Sequence, residues 1–266
     1  MTKTQYHEGL KTLQAKGHVT SWLHLCEWLE FFSRHGAHLF RGITKSNYPL
    51  VPKVGRSGYR KLKDRGHMGY SEKDERAIFE KFKHVALPYL SFTPRNDLEW
   101  LAIAQHYGVP TRLLDWTENL LIATWFSIQR ARWRMESEKN TSSDTNIIPP
   151  AIWIIRDAPS ISEGDAKNPF DVNHPKVYRP PHVSPRIAAQ QGVFTIHPKP
   201  DEECTFQGAI KIEIKPSCCF ELSKRLDGSG INERLLFPEL AGVGGYMEFL
   251  YRNNWLGGYK ENNPVR

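Results

Sequence analysis

The stretch from Ala104 to Ser127, AQHYGVPTRLLDWTENLLIATWFS, constrains this chain more than any other. Gly108 stands where a helix end needs a positive φ, and Pro110 blocks continuation. Upstream, Asn96 and Glu99 have N-cap spacing, and Leu98, Leu101, Ala102 and Gln105 share one face. A helix that stops at Gly108 is therefore expected. Downstream, Asn119 can cap a helix running to about Met135, apolar nearly all round at its start and so buried. A short segment between the two presents Thr111, Arg112, Asp115, Trp116 and Thr117. Asp115, flanked by Leu114 and Trp116, is expected to be at least partly buried. A buried carboxylate needs a partner, and Arg112 is the nearest in sequence. Two readings stay open: an Asp–Arg lock that holds the turn, or a polar cluster at the mouth of a pocket.

The rest of the pattern is α+β. Apolar spacing predicts a helix over Thr20–Ser33, and another over Ser71–Leu87 with Ser71 and Asp74 at capping distance. Short β-rich runs are expected as strands at His38–Arg41, Ala151–Ile155, Gly192–His197 and Ala209–Ile214. The last thirty or so residues read as a loop and a terminal helix, with Gly242, Gly244 and Gly245 at its start. Glu136–Thr145 and the proline-rich Ala158–Pro185 read as surface excursions rather than linkers. The expectation is a single domain over residues 20–257, with an extension at 1–19 and a tail at 258–266. Its helices lie mainly in the first half and pack on a mostly antiparallel sheet.

Composition narrows the class. A chain of 266 residues with 39% hydrophobic residues can bury a sizeable core and is not mainly disordered. The longest apolar run, Leu120–Phe126, is far short of a membrane span. The first 25 residues hold no apolar block of signal-peptide type, so a cytoplasmic setting with no membrane partner is expected. Cys26, Cys204, Cys218 and Cys219 form no CxxC pair and read as reduced thiols. No second pair at ligand spacing accompanies His35 and His38, so no metal is expected. The net charge of +7 is concentrated: Lys53, Arg56, Arg60, Lys61, Lys63 and Arg65 fall in one run, with Asp64 its one acid. Such a run suits an anionic partner, and nucleic acid is one alternative; a solvated surface loop is the other.

The sequence holds no Walker loop, dinucleotide fingerprint, HExxH, GxSxG or kinase signature. It does carry Phe40-Arg41-Gly42, the AQHYGVPTRLLDWT block, Gln190-Gln191-Gly192-Val193-Phe194 and Leu236-Phe237-Pro238-Glu239-Leu240. Together these resemble the FRG domain, over roughly residues 20 to 250, a family found mostly in bacteria and phages. The order of motifs is also similar to ADP-ribosyltransferases of the arginine–serine–glutamate type. That second resemblance implies an NAD or related nucleotide pocket in a defence or toxin setting. Arg41, beside Gly42, would clamp phosphate oxygens, since its planar fork suits them. Thr111 or Thr117 would stand in for the serine, with Arg112 alongside. Gln191 would occupy the glutamate's place; because an amide carries no charge, Glu239 or Asp115 would supply it. Three functions compete: this nucleotide pocket, a nucleic-acid module built on the Lys53–Arg65 run, and an interaction domain with an exposed apolar patch.

Overall fold

The structure is a computed structural model that describes residues 3–36, 38–58, 60–62, 66–131, 147–181, 184–253 and 255. In chain order the elements are α1 (Lys3–Ala15), α2 (Trp22–Ser33), β1 (Leu39–Ile43), β2 (Arg60–Leu62), β3 (Gly66–Met68), α3 (Glu72–Ala86), α4 (Asp97–His106), β4 (Leu113–Thr117), α5 (Leu120–Ile128), β5 (Ala151–Ile155), α6 (Glu163–Lys167), β6 (Lys176–Tyr178), α7 (Pro185–Ala189), β7 (Gly192–Ile196), β8 (Ile210–Glu213), α8 (Cys219–Gly228), α9 (Glu233–Leu236) and α10 (Leu240–Arg252). Six strands form one sheet in the order β6-β7-β4-β1-β5-β8, every pair antiparallel, and β2 and β3 form a separate hairpin. The α+β expectation holds as a single body.

The helix starts follow their caps. The side chains of Ser21, Ser71, Asn96 and Asn119 each accept a backbone N–H from the first turn of α2, α3, α4 and α5. Gly108 has φ +82°, as the end of α4 requires. The helix expected to reach Met135 spans Leu120–Ile128, and residues 132–135 lie outside the described set, as does Glu136–Thr145. Residues 1–19, expected as an extension, contain α1, whose Tyr6 and Leu13 are buried against α2. The proline-rich stretch contains α6, with a capping box between Ser162 and Asp165, and the edge strand β6. Among the described residues, no helix is long and apolar enough to cross a membrane.

Strand alternation sorts the core. Phe40, Ile152, Ile154, Ile210 and Ile212 pack beneath α1, α2, α5 and α8. On the same face, Leu113, Phe194 and Ile196 pack against Phe79 of α3 and Leu98 and Leu101 of α4. The opposite face carries Leu39, Leu114, Trp116, Ile155 and Val193, closed over by Leu50, Cys204 and Phe206. Gly42 fixes how near α5 can come to β1. A Cβ there would stand 2.0 Å from the carbonyl oxygen of Ala123 and 2.6 Å from the backbone nitrogen of Ser127. Backbone cannot yield as a flexible side chain can, so the glycine of Phe40-Arg41-Gly42 is a packing requirement.

β4 was not among the expected strands, since its segment read as a turn. LLDWT sits mid-sheet with apolar residues on both faces, so it lacks the simple alternation of a half-exposed strand.

Candidate functional site

The sheet is split at its centre. β4 pairs with β7 through five registered residues and β1 with β5 through five, but β1 and β4 register only at Phe40 opposite Thr117. Beyond that point the Arg41 guanidinium takes over. It donates to the carbonyl oxygen of Asp115 and stands 3.6 Å from the carboxylate Oδ2. The split opens into a cleft of about 1040 Å³, floored by Phe40, Arg41, Gly42, Asp115, Trp116 and Thr117 and walled by residues of α4, α5 and α7. Burial lowers the pKa of Arg41, and the neighbouring Asp115 works against that shift. An arginine stays charged through such a change.

Asp115 is held by a directed chain. The Leu113 N–H donates to Thr111 Oγ1 at 3.2 Å, and the Thr111 hydroxyl donates to Gln105 Oε1 at 2.7 Å. Gln105 Nε2 then donates to Asp115 Oδ2 at 2.9 Å. The direction is set from the far end: a carboxylate only accepts, so Gln105 turns its NH₂ to Asp115 and its Oε1 to Thr111, which must donate. Thr111 itself is buried beneath the cleft, whereas Thr117 lines it and accepts the Asn119 N–H that turns the chain into α5.

Cations surround this floor. Arg56, Arg130 and Arg186 line the same cleft as Arg41, and none of these three has a carboxylate within ion-pair distance among the described residues. Arg56 donates to the carbonyl oxygen of Val51 at 3.2 Å, and Arg186 lies 4.4 Å above the Phe237 ring. That stacking holds the guanidinium plane and leaves its in-plane N–H groups for a ligand. Burial lowers the pKa of Arg186, opposed by the nearby Asp115 and Glu239. His106, next to Gln105 on α4, is pushed down first by burial and then by Arg186. Asp201 and Glu203 also line the cleft.

Arg112 lies elsewhere, in a closed pair. Its Nη2 and Nε donate to Glu75 at 2.8 and 3.2 Å, Nη1 to the carbonyl oxygen of Phe170 at 3.3 Å, and Nη2 also to the Tyr70 hydroxyl at 3.0 Å. Arg112 is therefore a structural residue, and the expected Asp115–Arg112 lock is corrected. Its true partner comes from α3, far away in sequence. Asp115 is 59% exposed rather than partly buried, because its side chain projects into the split instead of against a helix.

Of the other expected residues, Gln191 is exposed, with φ +46°, and does not line the cleft; its neighbour Gln190 does. Glu239 is an exposed residue at the start of α10, beside Arg186 and His106 but outside the cleft lining. In the basic run, Lys53 donates to the carbonyl oxygen of Gly108 at 2.8 Å. Gly55 lies so close to Pro200 that a Cβ would meet its carbonyl oxygen at 1.8 Å. The start of the run is therefore anchored to the body rather than free. Arg60 and Lys61 lie in β2, and Lys63 and Arg65 lie outside the described residues. Sequence reasoning missed Gln105, Arg186 and Gln190 as site residues. Gln105 shares a helix face with Leu98, Leu101 and Ala102, while Arg186 lies in the five-residue α7 and Gln190 caps its C-terminal end, where no periodicity reveals them.

A family model of the FRG domain matches residues 36–136. The match includes Arg41, Gly42 and the whole AQHYGVPTRLLDWT block, so the chain carries an FRG domain. No curated protein and no solved structure matches the chain.

Proposed function

We propose that this FRG-domain protein binds a phosphorylated, nucleotide-like ligand in the split between β1 and β4, with Arg41 as the anion clamp. One observation carries the reading. Four arginines line a single cleft, and three of them have no carboxylate partner among the described residues. Guanidinium groups gathered around an opening and left unpaired fit phosphate oxygens, which accept two N–H bonds from one fork. The volume is near the upper end of ordinary small-molecule sites, roughly 300–1,000 Å³, which suits a nucleotide or dinucleotide. Tyr48 and Phe126 offer aromatic faces along the same cleft for a base.

NAD is the finer form of the proposal. In ADP-ribosyl transfer the bond from ribose C1′ to the nicotinamide nitrogen breaks, the leaving base keeps the electron pair, and an acceptor nucleophile bonds to C1′. Positive charge builds at C1′, and a carboxylate there stabilises it. Of the two carboxylates that could supply that charge in place of Gln191, Asp115 lines the cleft beside the clamp and Glu239 does not, so Asp115 takes the role.

The test is calorimetric titration of NAD and ADP into the wild type and Arg41→Ala, with free nicotinamide followed in the same samples. Saturable binding that weakens by about 10- to 100-fold in Arg41→Ala, the value of a charged hydrogen bond, supports the clamp. Nicotinamide release adds the transferase chemistry. Absence of binding for both ligands overturns the reading, and oligonucleotide binding with a steep salt dependence would replace it.

A further inference from the structure

The directed chain into Asp115 says what kind of ligand group can meet it. Asp115 accepts through Oδ2, so the Gln105 amide presents its NH₂ there and its Oε1 to the Thr111 hydroxyl, which donates to it while accepting the Leu113 N–H. Asp115 lines the cleft with its side chain 59% exposed, and its Oδ1 makes no hydrogen bond among the described residues; as a carboxylate oxygen it can only accept. A ligand group that meets it must donate. A cationic donor is disfavoured there, because Arg41 stands 3.6 Å from the same carboxylate and Arg186 is close enough to act on it. A neutral hydroxyl donates without that repulsion.

We infer that Asp115 recognises a sugar hydroxyl of the phosphorylated ligand, and that Thr111 and Gln105 are positioning residues that hold it as an acceptor. The inference rests on the anion-clamp reading alone, apart from its NAD form, and adds its selectivity: a hydroxylated ribose is preferred over a deoxygenated one. Thr111 and Gln105 matter through Asp115, since Thr111 is buried and does not line the cleft.

Three probes separate the layers: inorganic pyrophosphate, ADP, and its 2′,3′-dideoxy analogue. The wild type should bind ADP about 10- to 100-fold more tightly than the dideoxy analogue, the range of a hydrogen bond to a charged group. Asp115→Ala should erase that ratio while binding pyrophosphate at least as well, because Arg41 loses its internal competitor. Thr111→Val, which removes the donor that anchors Gln105 Oε1, should shrink the ratio with pyrophosphate affinity retained. Thr111→Ser, which keeps the hydroxyl, should restore it. A purely structural role for Thr111 would lower all three affinities together and would overturn the positioning claim. Equal affinity for ADP and the dideoxy analogue in a wild type that binds pyrophosphate overturns the hydroxyl claim and leaves the clamp standing. Failure of all three probes on the wild type removes the clamp, and this inference with it.

Discussion

Arg112 and Glu75 form a two-bond ion pair in which neither side chain has more than 1% of its surface exposed. The Tyr70 hydroxyl closes the arrangement, donating to Glu75 at 2.6 Å and accepting from Arg112. The Phe170 ring lies 4.4 Å from the guanidinium carbon. This pair ties α3 to the start of β4, and so to the strand that carries Asp115.

Breaking one side of it should be costly. Arg112→Ala or Glu75→Ala leaves a buried charge with no partner and should lower unfolding stability by about 3–5 kcal/mol. Replacing both with apolar residues of similar volume should cost far less, because the desolvation of both ions is then avoided. Urea denaturation of the two single variants and of Glu75→Leu/Arg112→Met would show the difference. Equal losses in all three would contradict this account.

Gly42→Ala should destabilise the fold by about 1–3 kcal/mol or more, since a methyl there meets the backbone of α5 at both Ala123 and Ser127. Gly244→Ala is the control, because nothing lies within 4 Å of a Cβ at that position of α10. Thermal unfolding of the pair should lower the melting temperature for the first and leave it or raise it for the second.

The buried His197 makes acid sensitivity a further expectation. Trp116 Nε1 donates to Thr195 Oγ1 at 2.8 Å, and the same hydroxyl hydrogen-bonds His197 Nε2, also at 2.8 Å. Burial, reinforced by Arg41 and Arg112, pushes the imidazole down to about 3. As pH falls below the unfolded value of about 6.5, the unfolded chain takes up a proton that the folded chain refuses. Stability therefore drops between about pH 6.5 and 3, with a limiting slope near 1.4 kcal/mol per pH unit. His24, His38 and His106, also lowered by burial, act in the same direction. Denaturation midpoints across this range should show a shallower acid limb for His197→Gln. An unchanged slope would show that His197 is not the group responsible.

Arg186→Lys should not rescue Arg186→Ala in nucleotide binding. A lysine keeps the charge but loses the planar fork stacked on Phe237. Affinities for ADP within error of each other in these two variants, and both below the wild type, are the expected result; full recovery by lysine would mean that charge alone suffices there.

Local chemistry made much of this fold legible, and distance in sequence hid the rest. Ser71, Asn96, Asn119 and Gly108 act on backbone within a few residues, so their roles could be read directly. Arg41 and Gly42 were found as a motif, and both prove to be held by β4 and α5. The partner of Arg112 could not be found the same way, because Glu75 reaches it only after α3 has folded onto the sheet. Gln191 stands in the turn after α7 at positive φ and does not line the opening, whereas its neighbour Gln190 does, a difference set by the turn rather than by any pattern in the sequence. Asp115 was recognised as unusual, but the opening in the sheet that exposes it depends on where two strands stop pairing, which no local pattern records.

The central split divides the sheet into two three-stranded leaves, β6-β7-β4 and β1-β5-β8. The leaves meet at one residue pair, at the Arg41 bridge, and through α5, which leaves β4 and lies on Gly42 of β1. A molecule seated between them is gripped from both sides, Arg41 belonging to one leaf and Asp115 to the other. Filling the opening would do the stapling that missing strand pairs would otherwise do. Amide exchange in β1 and β4 would then slow on occupancy, the seam between the two leaves reporting what it holds.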